Sequence, residues 1–146
     1  MSSNKNNKKE FEKPRIVVCL LIEKNGKYLF TRQAPNAPRG AGKWFFPGGN
    51  VRPGETIIET LKREGWEEIG VEVKFKELVG YAEYVKAPYH FIALICRCQI
   101  IKGEINPGSD VDKAEFISRK DFHKYPLRML QTVVIDGEEI KELTSV

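Results

Sequence analysis

Three glutamates and an adjacent arginine stand close together in the middle of the chain: Glu64, Glu67 and Glu68 follow Arg63. Residues three and four apart lie on the same face of a helix, so a helix here would carry three neighbouring carboxylates. Like charges at this spacing repel by a few tenths of a kcal/mol per pair. Clustered carboxylate oxygens also suit hard cations such as Mg²⁺. The pattern predicts either a solvated acidic helix face or a divalent metal site.

Two neighbouring features favour the metal site. A Gly48-Gly49 turn and a Pro53-Gly54-Glu55 turn precede the glutamates, and Arg63 lies directly beside them. A solvated acidic face requires neither a glycine-rich approach nor an arginine at that point. We therefore expect Glu64, Glu67 and Glu68 to bind metal.

The residues around the glutamates predict a helix over 56–69. Five of its residues fall within one stripe at about 100° per residue, and the glutamates flank that stripe. The stripe consists of Ile57, Ile58, Leu61, Gly65 and Ile69. Gly70 suits the position just after a helix end. The acidic face is thus predicted to lie beside the buried face, and not opposite it.

Strands are predicted wherever short apolar runs are bounded by turn residues. The predicted strands are 16–22, 28–31, 44–46, 71–85, 89–101 and 115–117. Asn25-Gly26 predicts a tight hairpin between the first two. Residues 34–43 and 102–113 are predicted loops, a small helix is predicted to begin at Ser118, and a last helix is predicted over 126–135.

Composition sets the limits within which these elements must fold. The chain has 146 residues, 41% of them hydrophobic and 30% charged, with a net charge of +4. This length predicts one domain, at 14–146, after a disordered basic tail at 1–13. The weak positive charge does not indicate nucleic acid binding, and no apolar run is long enough to predict a membrane span. Without an apolar leader, we expect a cytoplasmic protein.

The three cysteines are predicted to be reduced thiols. Cys19, Cys96 and Cys98 are an odd number, which does not fit a disulfide framework. Cys96 and Cys98 lie two apart in a predicted strand and therefore share one face. With two histidines in the chain, a zinc site is not expected.

The spacing of the whole segment resembles the sequence box of the Nudix hydrolases. The matching positions are Gly49, Glu55, Arg63-Glu64, Glu67-Glu68, Gly70 and Val71, separated by five, seven, two and one residues. The resemblance implies an α/β/α sandwich, with a mixed β-sheet between helices and a loop–helix–loop catalytic motif. One position departs from the family, since Gly65 stands where an aliphatic residue is usual. Gly65 points into the apolar stripe, which predicts a close approach of the helix to the sheet.

The resemblance also implies roles for individual residues. Glu64, Glu67 and Glu68 would bind Mg²⁺ or Mn²⁺, together with the Gly48 carbonyl, and Glu64 or a neighbouring carboxylate would serve as general base. Arg63 would orient the glutamates, and Glu55 would brace the loop against the helix. A later carboxylate reaches the metal in some relatives; Glu115 is the first candidate here, with Asp110 and Asp112 as rivals.

The implied activity is metal-dependent hydrolysis of the pyrophosphate bond in a nucleoside diphosphate linked to another moiety. Nucleoside triphosphates, ADP-ribose or other nucleotide sugars, and dinucleoside polyphosphates are the open substrate classes. Phosphate-binding candidates are Arg32, Arg39, Lys43 and Arg52. The alternative is a non-catalytic Nudix-fold module that binds a nucleotide and regulates a partner. Trp66 lies opposite the acidic cluster, where it would pack on a neighbouring helix or on a second subunit in a homodimer.

Overall fold

The computed structural model of the protein describes residues 10–145. Its one α-helix within that range is α1 (Ile57–Ile69), and two short 3₁₀ helices span Arg119–Lys124 and Lys141–Leu143. The first five strands are β1 (Arg15–Leu21), β2 (Glu23–Lys24), β3 (Lys27–Gln33), β4 (Trp44–Phe45) and β5 (Gly48–Asn50). The remaining strands are β6 (Glu72–Lys86), β7 (Tyr89–Lys102), β8 (Val111–Ser118), β9 (Thr132–Ile135) and β10 (Glu138–Glu139).

The strands form two sheets. A six-stranded sheet has the order β10-β9-β6-β7-β1-β5, and a four-stranded sheet contains β2, β3, β4 and β8. The large sheet is mixed, because β1 runs parallel to β7 while its other pairs are antiparallel. The short strand β5 pairs with β1 so that Gly49 lies opposite Val18 and Gly48 opposite Cys19. Gly48 and Gly49, predicted to form a turn, therefore belong to a short edge strand of the large sheet.

From Val18 to Leu21, strand β1 is buried on both faces, as its continuous apolar sequence predicts, whereas Ile16 is exposed. Val18 and Leu20 pack in a core beneath α1, with Leu61 of the helix. Cys19 and Leu21 point to the other side, into a core built from both sheets and from residues 122–143. Successive side chains of a strand alternate between faces, so one apolar run supplies both cores.

Helix α1 begins and ends as the sequence predicts. Thr56 is its N-cap: its hydroxyl accepts a hydrogen bond from the Glu59 amide at 3.1 Å, and Glu59 accepts one from the Thr56 amide at 2.8 Å. This reciprocal pair is a capping box. At the other end, Gly70 has φ 67° and donates its amide to the Trp66 carbonyl at 3.1 Å. The left-handed conformation favours glycine there.

Gly65 marks the close approach of α1 to the large sheet, and this expectation is confirmed. A Cβ at Gly65 would lie 3.3 Å from both methyl carbons of Val73 and 3.4 Å from a methyl carbon of Leu20. Contacts this short leave little room for any side chain. The glycine therefore lets the helix backbone lie close to β6 and β1.

The α/β class and the mixed sheet are confirmed, but the predicted last helix over 126–135 is wrong. Residues 126–131 are irregular, and Thr132–Ile135 forms β9, which pairs antiparallel with Gly80–Glu83 of β6. Val133 and Ile135 are buried, so the segment alternates as a half-buried strand does. The face of the large sheet away from α1 is accordingly covered by the small sheet and the first 3₁₀ helix, which buries Phe122.

The smaller predictions have mixed outcomes. The Asn25-Gly26 hairpin is confirmed, with φ of 53° and 75°, and the three cysteines are free and buried. Of the predicted tail, residues 1–9 lie outside the described residues. Phe11, within that predicted tail, packs edge-on against His90 with ring centroids 6.2 Å apart. The Glu12 amide donates a hydrogen bond to the Pro88 carbonyl at 2.8 Å. Within residues 10–145, no helix has the length and apolarity to cross a membrane.

Candidate active site

A salt bridge between Glu55 and Arg63 joins the loop after β5 to helix α1. Arg63 donates from Nε to Glu55 Oε2 at 2.7 Å and from Nη2 to Glu55 Oε1 at 3.0 Å. Glu55 also accepts from the Thr60 hydroxyl at 2.9 Å and from the Arg52 amide at 3.0 Å. These bonds, with that to Arg63 the strongest, hold the pKa of Glu55 down at about 2. Glu55 is thus a fixed anion that closes the loop on the helix.

The remaining donors of Arg63 reach the acidic face and the glycine strand. Nη1 donates to Glu64 Oε2 at 2.9 Å and to Glu67 Oε1 at 3.2 Å, while Nη2 donates to the Asn50 carbonyl at 2.9 Å. The side chain is 15% exposed. A planar guanidinium has its donors in a fixed fork, so one side chain sets the positions of several acceptors at once.

The two glycines of β5 are needed for different reasons. A Cβ at Gly49 would lie 2.2 Å from Glu64 Oε2, so the Glu64 carboxylate occupies the space where a side chain would be. A Cβ at Gly48 would lie 1.9 Å from the Val18 carbonyl oxygen, which is backbone of β1. Gly49 therefore makes room for a carboxylate, and Gly48 makes room for the sheet.

Glu68 is the most strongly perturbed carboxyl of the cluster. It is 8% exposed, and one of its oxygens accepts a hydrogen bond from the Gly48 amide at 2.9 Å. Burial raises its pKa to about 8, although the Gly48 hydrogen bond acts in the opposite direction. Glu64, also 8% exposed, has its pKa raised by burial despite the bond to Arg63. Two buried carboxyls here have less positive charge around them than their ionised forms need.

This donor set fits a divalent cation chemically. The carboxylates offer hard oxygen ligands, and a bound cation would supply the charge that burial makes necessary. Within residues 10–145, no three acidic, histidine or cysteine side chains converge closely enough to hold an ion. Glu64 and Glu67 turn toward Arg63, and Glu68 turns toward the Gly48 amide. Arg63 supplies part of the positive charge for Glu64 and Glu67, but burial still raises the pKa of Glu64.

The acidic face lines an open cleft of about 460 Å³, which we call the carboxylate cleft. Its acidic residues are Glu64, Glu67, Glu68 and Asp110. Its basic residues are Arg15, Arg39, Lys43, Arg52, Arg63 and Arg128. Its apolar wall includes Phe45, Phe46 and Phe91. A cleft with both charges and an aromatic wall can bind a molecule that combines phosphates, metal and a ring system.

Of the predicted phosphate-binding residues, Arg39, Lys43 and Arg52 line the carboxylate cleft. Arg32 does not line it. Instead, Arg32 forms a two-pronged salt bridge with Asp112, with bonds of 2.9 and 2.7 Å. Arg32 and Asp112 therefore bind each other, and neither lines the cleft that contains the glutamates.

The structure brings Asp110, and not Glu115, to the acidic face. The preceding loop is tied to the end of α1, because the Gly108 amide donates to the Glu68 carbonyl at 3.0 Å. Asp110 follows two residues later and lines the cleft. Glu115 lies on β8, is exposed, and accepts a hydrogen bond from the Tyr125 hydroxyl at 3.0 Å. Of the candidates for the later carboxylate, Asp110 is therefore the one that lines the carboxylate cleft.

Sequence reasoning missed Arg128 and Phe91. Arg128 belongs to the segment predicted as a helix, where an arginine is ordinarily an exposed surface charge. Phe91 is an inward-facing residue of β7, and its sequence signal is that of any core residue. No local pattern distinguishes either residue, because their place in the cleft depends on how β7 and the segment before β9 pack together.

Comparison with known proteins identifies the family of this chain. The family model described as NUDIX domain matches residues 12–136. The nucleoside triphosphatase NudI of Escherichia coli O1:K1 is 29% identical over 126 residues, covering 79% of this chain and 89% of that relative.

Solved structures share the architecture. The MutT protein of Methanosarcina mazei Go1 superposes with a TM-score of 0.71 at 28% identity, covering 80% of this chain and 86% of that one. An ADP-ribose pyrophosphatase of Streptococcus suis gives a TM-score of 0.65 at 19% identity, covering 90% and 87%, and shows likeness of fold alone. Since the family match covers strands β1 to β9, α1 and the acidic face, the chain belongs to the NUDIX domain family.

Proposed function

We propose that the protein is a metal-dependent pyrophosphohydrolase that acts on a nucleoside diphosphate linked to another moiety. The observation that carries this proposal is the pair of buried carboxyls, Glu64 and Glu68, beside a cleft that also holds basic and aromatic side chains. Buried acidic groups cost free energy unless a cation compensates them. Metal-assisted hydrolysis of a phosphate anhydride uses such a cation.

Glu64, Glu67 and Glu68 are the proposed metal ligands, with the Gly48 carbonyl and Asp110 as further oxygen donors. Mg²⁺ and Mn²⁺ are the proposed ions, because both prefer oxygen ligands. When bound, such an ion polarises a phosphoryl oxygen and lowers the pKa of a water molecule. NUDIX hydrolases generally depend on divalent metal, in agreement with this donor set.

Other residues orient the glutamates and handle the proton. Arg63 fixes Glu64 and Glu67 through Nη1, and Glu55 fixes Arg63 in turn. A carboxylate oxygen of Glu64, or of a neighbouring glutamate, is the proposed acceptor for the proton of the attacking water. Arg39 and Arg52 are proposed to contact substrate phosphates, since both line the cleft.

Nucleoside triphosphates are the first substrate class to test, because the 29% identical relative is named a nucleoside triphosphatase. ADP-ribose and other nucleotide sugars and dinucleoside polyphosphates remain the other two classes. A non-catalytic nucleotide-binding module is not favoured, since every box glutamate is present and the named relatives are hydrolases. Cytoplasmic location and homodimer formation stay predictions from the sequence.

The test is a phosphate- and pyrophosphate-release screen over the three substrate classes, with Mg²⁺, Mn²⁺ or EDTA. We expect hydrolysis of at least one class that stops in EDTA and returns when metal is added. Glu64→Gln and Glu68→Gln should each lower turnover at least 100-fold while the protein stays folded, because each removes a proposed ligand.

Glu104→Gln is the matched control. Glu104 is exposed in the loop after β7 and does not line the carboxylate cleft. The same loss of charge there should leave turnover within twofold of the unchanged protein. Activity that is indifferent to EDTA, or a tenfold or smaller loss in both cleft variants, would place the chemistry elsewhere.

A further inference from the structure

Arg128 occupies an unusual position for an arginine. Its guanidinium carbon lies 5.2 Å from the Phe91 ring centroid and 5.8 Å from the Tyr84 centroid. These two rings stack on each other, with centroids 5.5 Å apart and planes at 24°. The Arg128 amide also donates to the Trp44 carbonyl at 2.9 Å, which holds the backbone in place. The side chain is therefore anchored at both its base and its head.

The Arg128 guanidinium has no anionic partner. Among residues 10–145, no carboxylate forms a salt bridge with it and no side-chain hydrogen bond from it occurs, whereas four other arginines have carboxylates at 3.2 Å or closer. Those four are Arg32, Arg63, Arg97 and Arg119. Burial lowers the pKa of Arg128, and the nearby Arg39 acts in the same direction. No buried side-chain nitrogen or oxygen among residues 10–145 lacks a hydrogen-bond partner, so the donors of Arg128 are open to the cleft, where a ligand can use them.

Arg128 connects the carboxylate cleft with a second cavity of about 450 Å³, which we call the aromatic cavity. Its walls include Arg39, Tyr84, Tyr89, Phe91 and Arg128, and none of its lining residues is acidic. Arg39 lies over the Tyr89 ring at 4.8 Å. The glutamates thus make one wall of the carboxylate cleft acidic, whereas the adjoining aromatic cavity is lined by basic and aromatic residues.

We propose that Arg128 is a substrate-binding residue whose guanidinium donates hydrogen bonds to two neighbouring acceptor atoms of the bound nucleotide. This inference rests on the proposed function, since it takes the ligand to be the nucleotide whose diphosphate lies at the glutamates. A guanidinium presents a planar pair of donors that matches two acceptors side by side. Two parts of a nucleotide have that chemistry: a phosphate group, and a base edge such as the O6 and N7 atoms of guanine.

The test compares Arg128→Met and Arg128→Lys with the unchanged protein. Nucleotide binding is measured by calorimetry in EDTA, and kcat and KM are measured with Mg²⁺, using ATP, GTP, CTP and UTP. We expect Arg128→Met to raise Kd and KM at least tenfold for its preferred nucleotides and to change kcat less. Arg128→Lys should recover less than half of that loss on a logarithmic scale, because it restores the charge without the paired donors.

The four nucleotides distinguish the two sources. An equal loss for all four assigns Arg128 to a phosphate, and a loss concentrated on one or two bases assigns it to a base edge. Lys120→Met is the control: Lys120 is exposed on the first 3₁₀ helix, and its removal changes the net charge equally. It should leave Kd and KM within twofold.

Each remaining outcome decides against one idea. If the unchanged protein hydrolyses nucleotides and Arg128→Met keeps Kd and KM within twofold, the inference about Arg128 is wrong. A fall in melting temperature with unchanged Kd would show a packing role alone and would also overturn it. If Arg128→Met does not fold, Arg128→Lys decides by the same Kd criterion. Nucleotide binding without any hydrolysis would refute the proposed function while leaving the binding comparison valid.

Discussion

Replacing Gly49 with alanine tests whether the Glu64 carboxylate must lie where the structure has it. The new Cβ would be 2.2 Å from Glu64 Oε2 and 2.6 Å from Cδ. To regain an ordinary contact of about 3.4 Å, the carboxylate has to move by about 1.2 Å. The clash involves the end of a flexible side chain, so the side chain can yield without moving the backbone.

The expected magnitudes differ for activity and for stability. A misplacement of about 1 Å in a reacting group costs about 100-fold in rate, which corresponds to about 2.7 kcal/mol of transition-state free energy. Losing the Arg63–Glu64 hydrogen bond costs about 1.5–3 kcal/mol of folding free energy. Replacing glycine with alanine also lowers the conformational entropy of the unfolded chain, which offsets about 0.4–1 kcal/mol of that cost. The net loss of stability should be about 0.5–2.6 kcal/mol.

The assay pairs Gly49→Ala with Gly48→Ala. A Cβ at Gly48 would be 1.9 Å from the Val18 carbonyl oxygen, so β5 and β1 would have to separate. We expect Gly48→Ala to lose about 3 kcal/mol or more in urea unfolding. Gly49→Ala should stay folded with kcat about 100-fold lower. The reasoning is refuted if Gly49→Ala keeps half of the activity, or if both variants lose the same stability.

Three further predictions follow from single contacts. Glu68→Gln should raise the melting temperature in EDTA by about 2–6 °C and reduce the rise on adding Mg²⁺, because it removes a carboxyl whose ionisation burial disfavours, and with it a proposed ligand; a lower melting temperature in EDTA would contradict this. Gly65→Ala should change the free energy of urea unfolding by no more than about 0.5 kcal/mol, because the gain in helix propensity is offset by crowding against Val73. In a Val73→Ala protein, where that crowding is absent, the same change should stabilise by about 1 kcal/mol. Equal effects in both backgrounds would disprove the coupling. Asp110→Asn should raise the Mg²⁺ concentration for half-maximal rate several-fold while Glu115→Gln leaves it unchanged, and the reverse result would restore Glu115 as the later carboxylate.

Local interactions explain most of what the sequence predicted. The capping box at Thr56, the left-handed Gly70 and the apolar stripe between them lie within fifteen residues, and they define α1. The spacing of Glu64, Glu67 and Glu68 on that helix then places the three carboxyls on one face. The Asn25-Gly26 turn has a comparably local cause. The function class also followed from this segment, because the box identities lie almost entirely within it.

The sequence by itself determined the helix, the hairpin, the acidic face and the family, since each depends on residues close together in the chain. Only the tertiary structure decided that Thr132–Ile135 is a strand, because its partner in β6 lies about fifty residues earlier. Likewise, Asp110 reaches the cleft through a loop bond to the end of α1, and Arg128 reaches it through contacts with β4, β6 and β7. Pairing energies between distant segments override local preference, and no short stretch of sequence contains both partners.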